Sequence, residues 1–128
     1  MKTYVDTSPV VYVVEPDPVF GPRVRAKIST PGDALFISDL TCMECRVKPL
    51  KDGNAGRLRD FDRFFAMTTV VPLNAGVFDV AADIRARQPS IKTADAIHLA
   101  AALVHGCDRF LTNDHHLTVF QGIPVELI

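Results

Sequence analysis

The sequence has few cysteines and no marked excess of charge of either sign, so it lacks the features of disulfide-rich proteins and of strongly basic nucleic-acid-binding proteins. Only three cysteines stand among 128 residues. The count is odd and the chain is too large to need disulfide staples, so reduced thiols are expected. Lys and Arg number 14 against 15 for Asp and Glu, a formal net charge of -1. This balance excludes attraction of nucleic acid by overall charge, so any nucleic acid must meet a local patch.

Long hydrophobic runs are also missing. The apolar stretch from Val10 to Val14 is too short to cross a bilayer, and Asp6 stands where a signal peptide would need its hydrophobic segment. A chain of 128 residues, 48% of them hydrophobic, suits one well-packed core and leaves no room for a second domain. We therefore expect a single soluble domain over residues 1–128, located in the cytoplasm.

Two phosphate-handling classes lack their sequence signatures. The stretch from Gly53 to Arg57 has the glycines of a phosphate-binding loop but not its Lys-Ser/Thr ending. A receiver or phosphatase-type α/β domain needs a closely spaced acidic pair after its first strand, where this chain has Asp-Thr-Ser. It also needs a lysine to contact the phosphoryl group, and none follows Lys92. This class stays as the less favoured alternative.

Short apolar runs alternate with segments of helical periodicity along the whole chain. Capping residues and Pro- or Gly-rich breaks separate them. The predicted strands are residues 2–6, 34–37, 69–73, 109–112 and 123–127, the last at a sheet edge because of Pro124. The predicted helices begin at 7, cover 23–29, begin at 38 or 39, and cover 57–67, 75–87 and 93–104, with a short helix or turn over 114–120. This alternation favours an α/β fold with a mostly parallel sheet and helices on both faces.

Helical spacing also predicts which side chains are buried. The expected buried stripes are Leu40, Met43 and Val47; Leu58, Phe61, Phe64 and Phe65; Val77, Val80, Ala81 and Ile84; and Ile97, Ala101 and Val104. The segment from Lys48 to Gly56 should break the chain between two helices. The valines of the Val10–Val14 stretch exceed what one short helix needs for its core face, which predicts self-association through this region.

Four acidic residues occupy comparable places in this pattern. Asp6 follows the first predicted strand, Glu44 lies near the start of a helix, Asp95 follows the Thr93 cap, and Asp114 comes just after the fourth strand. Ligands of open α/β sheets collect at the carboxyl ends of the strands, so these acids can meet in one pocket. Carboxylates without basic partners repel one another, and a hard cation such as Mg²⁺ relieves that repulsion. The pattern therefore predicts a shared metal site.

The sequence motifs around these acids are more specific than any one acid alone. The chain reads YVDTS, then ISDLTCMEC, then KTADAIHLAAAL, then FLTNDHHL. These ordered motifs resemble a PIN domain, in particular the VapC-like toxins of type II toxin–antitoxin modules, over essentially the whole chain. The resemblance implies a three-layer α/β/α sandwich and a Mg²⁺- or Mn²⁺-dependent ribonuclease. One departure is Asn113, where relatives often carry a basic residue.

The resemblance also implies a role for each matching residue. Asp6, Glu44, Asp95 and Asp114 correspond to the catalytic acids. Asp6, Asp95 and Asp114 are predicted to bind metal, while Glu44 either binds metal or orients the attacking water. The small hydroxyl residues, Thr7 or Ser8 and Thr112, match positions that flank such sites, and we expect Ser8 and Thr112 to orient the carboxylates by hydrogen bonding.

Other polar residues receive weaker assignments. Arg46 and Lys48 follow Glu44 on the same predicted helix and are the candidate RNA contacts. The pair Cys42 and Cys45 is interpreted as packed thiols rather than a zinc site, which would need four well-placed ligands. His98, three residues after Asp95, is interpreted as a packed histidine, with a supporting hydrogen bond to the site as the alternative, and the roles of His115 and His116 stay open.

The resemblance finally implies partners. An RNA substrate and a cognate antitoxin that occludes the pocket are expected from it, while a homodimer is expected from the valines of the Val10–Val14 stretch. A PIN-like scaffold without catalysis, which only binds a protein partner, is the alternative from a different functional class.

Overall fold

The computed structural model describes all 128 residues as five strands, six α-helices and one 3₁₀ helix. In chain order these are β1 Lys2–Val5, α1 Thr7–Val14, α2 Phe20–Ile28, β2 Ala34–Ser38, α3 Asp39–Lys51, α4 Ala55–Ala66, β3 Thr69–Val71, α5 Ala75–Arg87, α6 Thr93–Val104, β4 Arg109–Thr112, the 3₁₀ helix His115–Val119 and β5 Val125–Leu127. The predicted alternation of strands and helices is confirmed. No helix is both long and apolar enough to cross a membrane.

All five strands run parallel in the order β3-β2-β1-β4-β5. The chain therefore builds outward from β1 in one direction through β2 and β3, and then in the other direction through β4 and β5. The carboxyl ends of β1 and β4 lie side by side where the direction reverses, with Val5 opposite Leu111. This is the place where open α/β sheets bind their ligands.

Two hydrophobic clusters cover the two faces of the sheet. On one face, α5 and α6 pack around Tyr4 and Phe110. On the other face, Val5 and Ile37 pack against Phe61 of α4 and residues of α1 and α3. Successive residues of β1 thus point to opposite layers, as the two-residue period of a strand requires. The predicted three-layer α/β/α architecture is confirmed.

Helix α3 differs from its prediction in both length and orientation. It continues to Lys51 with the buried Pro49 inside it, although a break from Lys48 was expected. Met43 and Val47, expected in the core, are more than half exposed. The face that packs inward instead carries Thr41, Cys45 and Pro49, because small side chains allow the helix to approach the sheet closely.

Helix α6 is also buried differently from the expected single stripe. Val104 is exposed, whereas Ala96 and the whole run from His98 to Ala102 are buried. The helix is enclosed on most sides, and its alanines leave room for the neighbouring α5. Periodicity cannot identify one inner face on a helix that is apolar almost all round.

The valine stretch of α1 does not form the exposed patch expected from the sequence. Val10 is fully buried, and Val11, Val13 and Val14 pack against the cluster that contains Phe61. Helices α2, α3 and α4 all contact α1, which explains why a short helix carries so many apolar residues. Packing within the domain therefore accounts for much of the apolar character of α1, and self-association through this stretch stays a prediction.

The orientation of α3 and α4 can be tested by two truncations. Phe61→Ala removes a ring that is 1% exposed and should lower the free energy of unfolding by about 3–5 kcal/mol. Met43→Ala, at a side chain that is 55% exposed, should change it by less than about 0.5 kcal/mol. Urea unfolding of both variants provides the measurement. A large loss in Met43→Ala would contradict the orientation of α3.

Candidate functional site

The four acids identified from the sequence lie at one edge of the sheet. Asp6 directly follows β1, and Asp114 comes two residues after the end of the adjacent β4. Glu44 lies in the second turn of α3, and Asp95 lies in the first turn of α6. We call Asp6, Glu44, Asp95 and Asp114 the carboxylate cluster.

Asp6 is held rigidly by both of its carboxylate oxygens. Its Oδ1 accepts a hydrogen bond of 2.8 Å from the backbone N–H of Thr7, and so caps helix α1. Its Oδ2 accepts a hydrogen bond of 2.8 Å from the hydroxyl of Thr112, which is fully buried. The same hydroxyl accepts the backbone N–H of Asp114 at 3.0 Å. Thr112 therefore connects two members of the carboxylate cluster.

Glu44 is anchored by one oxygen only. Its Oε1 accepts hydrogen bonds from the Thr7 hydroxyl at 2.8 Å and from His98 Nε2 at 2.6 Å. Since an ionised carboxylate can only accept, the proton of the imidazole belongs on Nε2. The hydrogen bond from His98 is the largest cause of a lowered pKa at Glu44. Glu44 is therefore an ionised group at neutral pH, and its Oε2 remains available.

His98 connects this carboxylate to a buried polar network. The imidazole is 1% exposed, and its Nδ1 lies 2.7 Å from the hydroxyl of Tyr4. That hydroxyl also lies within hydrogen-bond distance, 2.9 Å, of the Ser38 hydroxyl at the end of β2. No buried side-chain nitrogen or oxygen in the protein lacks a hydrogen-bond partner. The network joins β1, β2, α3 and α6 behind the carboxylate cluster.

Asp95 differs from the other acids because no hydrogen bond or positive side chain compensates its charge. Burial is the largest cause of its raised pKa, and the negative charges of Asp6, Asp114 and Glu44 raise the pKa further. His98 alone opposes the rise. Interactions with all three other acids place Asp95 among them in a single electrostatic unit.

The chemistry of these donors fits a hard divalent cation. All four are carboxylates, the ligands that Mg²⁺ and Mn²⁺ prefer, and no lysine or arginine is paired with any of them. No three of the Asp, Glu, His or Cys side chains converge at coordinating distance in this conformation. Binding of an ion would therefore require side-chain rotation, for which Asp95 and the free oxygen of Glu44 are the unrestrained groups.

The structure separates the two hydroxyl residues that the sequence left as alternatives. Thr7 donates to Glu44. Ser8 is exposed and makes no hydrogen bond to the carboxylate cluster, because one residue of α1 turns the side chain by about 100°. The hydroxyl support expected from Ser8 is thus supplied by Thr7, together with Thr112 on β4.

The two candidate RNA contacts, Arg46 and Lys48, have surroundings of their own on α3. Arg46 forms an ion pair with Asp62 of α4. Lys48 lines a separate groove of about 430 Å³ with Tyr12 and Arg57. Neither residue lines the cavity of about 330 Å³ that contains Asp95 and Asp114.

The polar residues after β4 have distinct environments. Asn113 donates a hydrogen bond of 3.2 Å to the Tyr12 hydroxyl. His115 is exposed. His116 contacts Asp114 Oδ1 through its backbone N–H at 2.9 Å and through Nδ1 at 3.2 Å. Cys45 is buried and Cys42 half-buried, as the packed-thiol interpretation requires.

Tyr4 is the site residue that the sequence analysis missed, and His98 was expected mainly as a packed histidine, with a supporting hydrogen bond as the alternative. The signals were present but weak, because Tyr4 shares a strand face with Asp6 and His98 lies one turn after Asp95. From sequence alone, a histidine in an alanine-rich helix is equally consistent with a residue that only packs in the hydrophobic core. Only the contact between His98 and Glu44 decides between the two interpretations.

These features define a class of protein: a parallel α/β domain with an acidic cluster at the topological switch point. The family model of the PIN domain matches residues 3–122. The chain therefore belongs to the PIN domain family. No curated protein matches it significantly by sequence.

Solved structures share this fold at low sequence identity. A chain of VapBC2 from Rickettsia felis, bound to a DNA fragment from its promoter, has a TM-score of 0.82 at 13% identity, covering 100% of this chain and 99% of that one. A chain of a toxin–antitoxin complex from Klebsiella pneumoniae has a TM-score of 0.76 at 18% identity, and the match covers 94% of each chain. VapC20 from Mycobacterium tuberculosis, a Sarcin-Ricin loop cleaving toxin, has a TM-score of 0.71 at 17% identity. The match covers 95% of this chain and 98% of that one.

The raised pKa of Asp95 has a consequence for stability. A carboxyl whose pKa is higher in the folded state destabilises the fold as pH rises through that pKa. The melting temperature of Asp95→Asn should therefore lie above that of the wild type at pH 7.5 in the presence of chelator. The difference should vanish at about pH 4, near the ordinary pKa of Asp. Asp79→Asn, at an exposed residue of α5, is the control and should match wild type at both pH values. Thermal melts that show no gain for Asp95→Asn would contradict the repulsion.

Proposed function

We propose that this protein is a metal-dependent endoribonuclease that hydrolyses RNA phosphodiester bonds. The observation that carries the proposal is the placement of Asp6, Glu44, Asp95 and Asp114 around the carboxyl ends of β1 and β4, where Thr112 links Asp6 to Asp114 and one cavity holds Asp95 with Asp114. Membership in the PIN domain family supports the same conclusion. The proposed cofactor is Mg²⁺ or Mn²⁺, because carboxylate oxygens are the donors at hand.

The proposed ligands are Asp6, Asp95 and Asp114. When bound, the ion supplies a Lewis acid that lowers the pKa of water and offsets charge on the phosphodiester. Asp6 contributes a carboxylate already fixed by Thr7 and Thr112. Asp95 contributes a carboxylate without a competing partner.

Glu44 is assigned the orientation of the attacking water. Its lowered pKa makes it a weak base, since efficient general bases have a pKa near the working pH. Its Oε1 is held by Thr7 and His98, so its Oε2 can accept a hydrogen bond from water in a fixed direction. Tyr4 supports His98 from behind and acts as a positioning residue.

A protein partner is part of the proposal. Similar structures include a toxin–antitoxin complex and VapBC bound to promoter DNA. We propose that this chain is the toxin of a type II module, located in the cytoplasm, that forms a homodimer and binds an antitoxin occluding the carboxylate cluster. A scaffold without catalysis is the second candidate, and the two are separated by activity.

A cleavage assay tests the proposal. Purified wild type should cleave single-stranded RNA with Mg²⁺ or Mn²⁺ and stop in chelator. Asp6→Asn, Asp95→Asn and Asp114→Asn should each lose activity on the order of 100-fold or more, with circular dichroism unchanged. Activity equal to that of a variant lacking all four carboxylates would refute the nuclease and leave the scaffold.

The hydroxyl that fixes Asp6 should matter for metal affinity. Thr112→Val keeps the side-chain shape but removes the hydrogen bond to Asp6, so Mn²⁺ affinity measured by calorimetry should fall about 10- to 100-fold. Ser8→Ala is the matched control, since Ser8 makes no hydrogen bond to the cluster, and its affinity should equal that of wild type. Equal affinities in both variants would contradict the orienting role of Thr112.

A further inference from the structure

One cavity beside the carboxylate cluster contains a lysine that the proposed chemistry has not used. The cavity measures about 330 Å³ and is lined by Lys92, Ser90 and His116 as well as by Asp95 and Asp114. Its volume lies at the lower end of the range for ligand pockets. It combines two of the acids with one lysine.

Lys92 has no acidic partner within the protein. It is exposed, and none of the ion pairs of the chain involves it. The other basic group of the cavity, His116, already contacts Asp114. Arg46, the cation favoured by sequence, is paired with Asp62. Lys92 is therefore the cation of this cavity that is free to bind an anion.

The backbone on both sides of Lys92 is fixed. Ile91 is 2% exposed, and its carbonyl accepts a hydrogen bond of 3.0 Å from Arg85 Nε. The carbonyl of Lys92 accepts the N–H of Ala96 in the first turn of α6, the turn that also carries Asp95. The lysine thus presents a mobile ammonium group from a rigid point three residues before a proposed metal ligand.

RNA approaching the carboxylate cluster meets four negative charges, so it needs a neighbouring positive group. We propose that Lys92 binds a phosphate of the RNA strand, adjacent to the scissile phosphate, within this cavity. A lysine suits this task as a point charge that does not demand one phosphate geometry. The proposal rests on the nuclease function and adds Lys92 to Arg46 and Lys48, which stay predicted RNA contacts.

Salt dependence of RNA binding gives the direct test. Glu44→Gln, at a residue outside the cavity, removes the group assigned to orient the attacking water but none of the three proposed metal ligands, and so provides an inactive background in which a short single-stranded RNA is bound with Mg²⁺ but not cut. Adding Lys92→Gln should weaken binding, and the slope of log affinity against log salt should become shallower by about 0.7, the value for one phosphate contact on a single strand. Lys51→Gln, at an exposed lysine of α3 without an ion pair, is the matched control and should leave the slope unchanged.

Kinetics provide the second readout. In the otherwise wild-type enzyme, Lys92→Gln should raise KM on the order of 10-fold with little change in kcat, because the contact is made equally in ground and transition states. Lys92→Arg should restore KM. Both results support phosphate binding by the positive charge at this position.

The outcomes separate this proposal from the nuclease function. Cleavage by wild type with an unchanged slope and KM in Lys92→Gln would overturn the role of Lys92 alone. Equal effects of Lys92→Gln and Lys51→Gln would overturn it as well, because they would show a general charge effect. No cleavage and no RNA binding by wild type would overturn the nuclease function and the role of Lys92 together.

Discussion

Repulsion among four carboxylates is the constraint on which the rest of this site depends. Burial is the largest cause of the raised pKa of Asp95, and the negative charges of the three other acids raise it further. None of the four acids is paired with lysine or arginine. Neutral or weakly basic groups, namely Thr7, Thr112 and His98, supply the hydrogen bonds instead. Such a cluster is costly in the free protein, and a divalent cation would remove that cost.

The parallel sheet makes this arrangement possible, and a buried polar network keeps it in place. Reversal of direction at β1 and β4 sets Asp6 beside Thr112, and the helices that follow β2 and precede β4 bring in Glu44 and Asp95. The hydrogen-bonded chain from Ser38 through Tyr4 and His98 to Glu44 joins elements of both outer layers. A fully satisfied network of this kind specifies one geometry, because each alternative arrangement would leave a buried polar group unpaired.

Much of the fold could be predicted from local sequence, because caps and breaks delimit elements whose periodicity is clear. The phenylalanines of α4 marked its inner face correctly, since large apolar side chains have no other favourable place. The prediction of the buried face of α3 was wrong for the opposite reason. Its large apolar residues Met43 and Val47 are exposed, and the small buried residues Thr41 and Cys45 allow close packing. Pro49 remained helical because tertiary packing outweighs a single residue's propensity.

The acids of the site could be predicted from the sequence, but the side chains that position them by hydrogen bonding could be predicted only in part. Strand ends and first turns of helices are visible in sequence, and they place Asp6 and Asp114 at one edge. The choice between Thr7 and Ser8 depends on the phase of one helix, and the ion pair of Arg46 depends on Asp62 in a different helix. Contacts of that kind arise only from tertiary structure.

The central claim is that the carboxylate cluster forms one divalent-metal site. Calorimetric titration of metal-free protein with Mn²⁺, repeated at mildly acidic pH in buffers of different ionisation enthalpy, tests it most directly. The account predicts saturable binding with release of protons, since Asp95 must ionise, and loss of that release in Asp95→Asn. An absence of saturable binding, or binding that Asp95→Asn leaves unaltered, would contradict it.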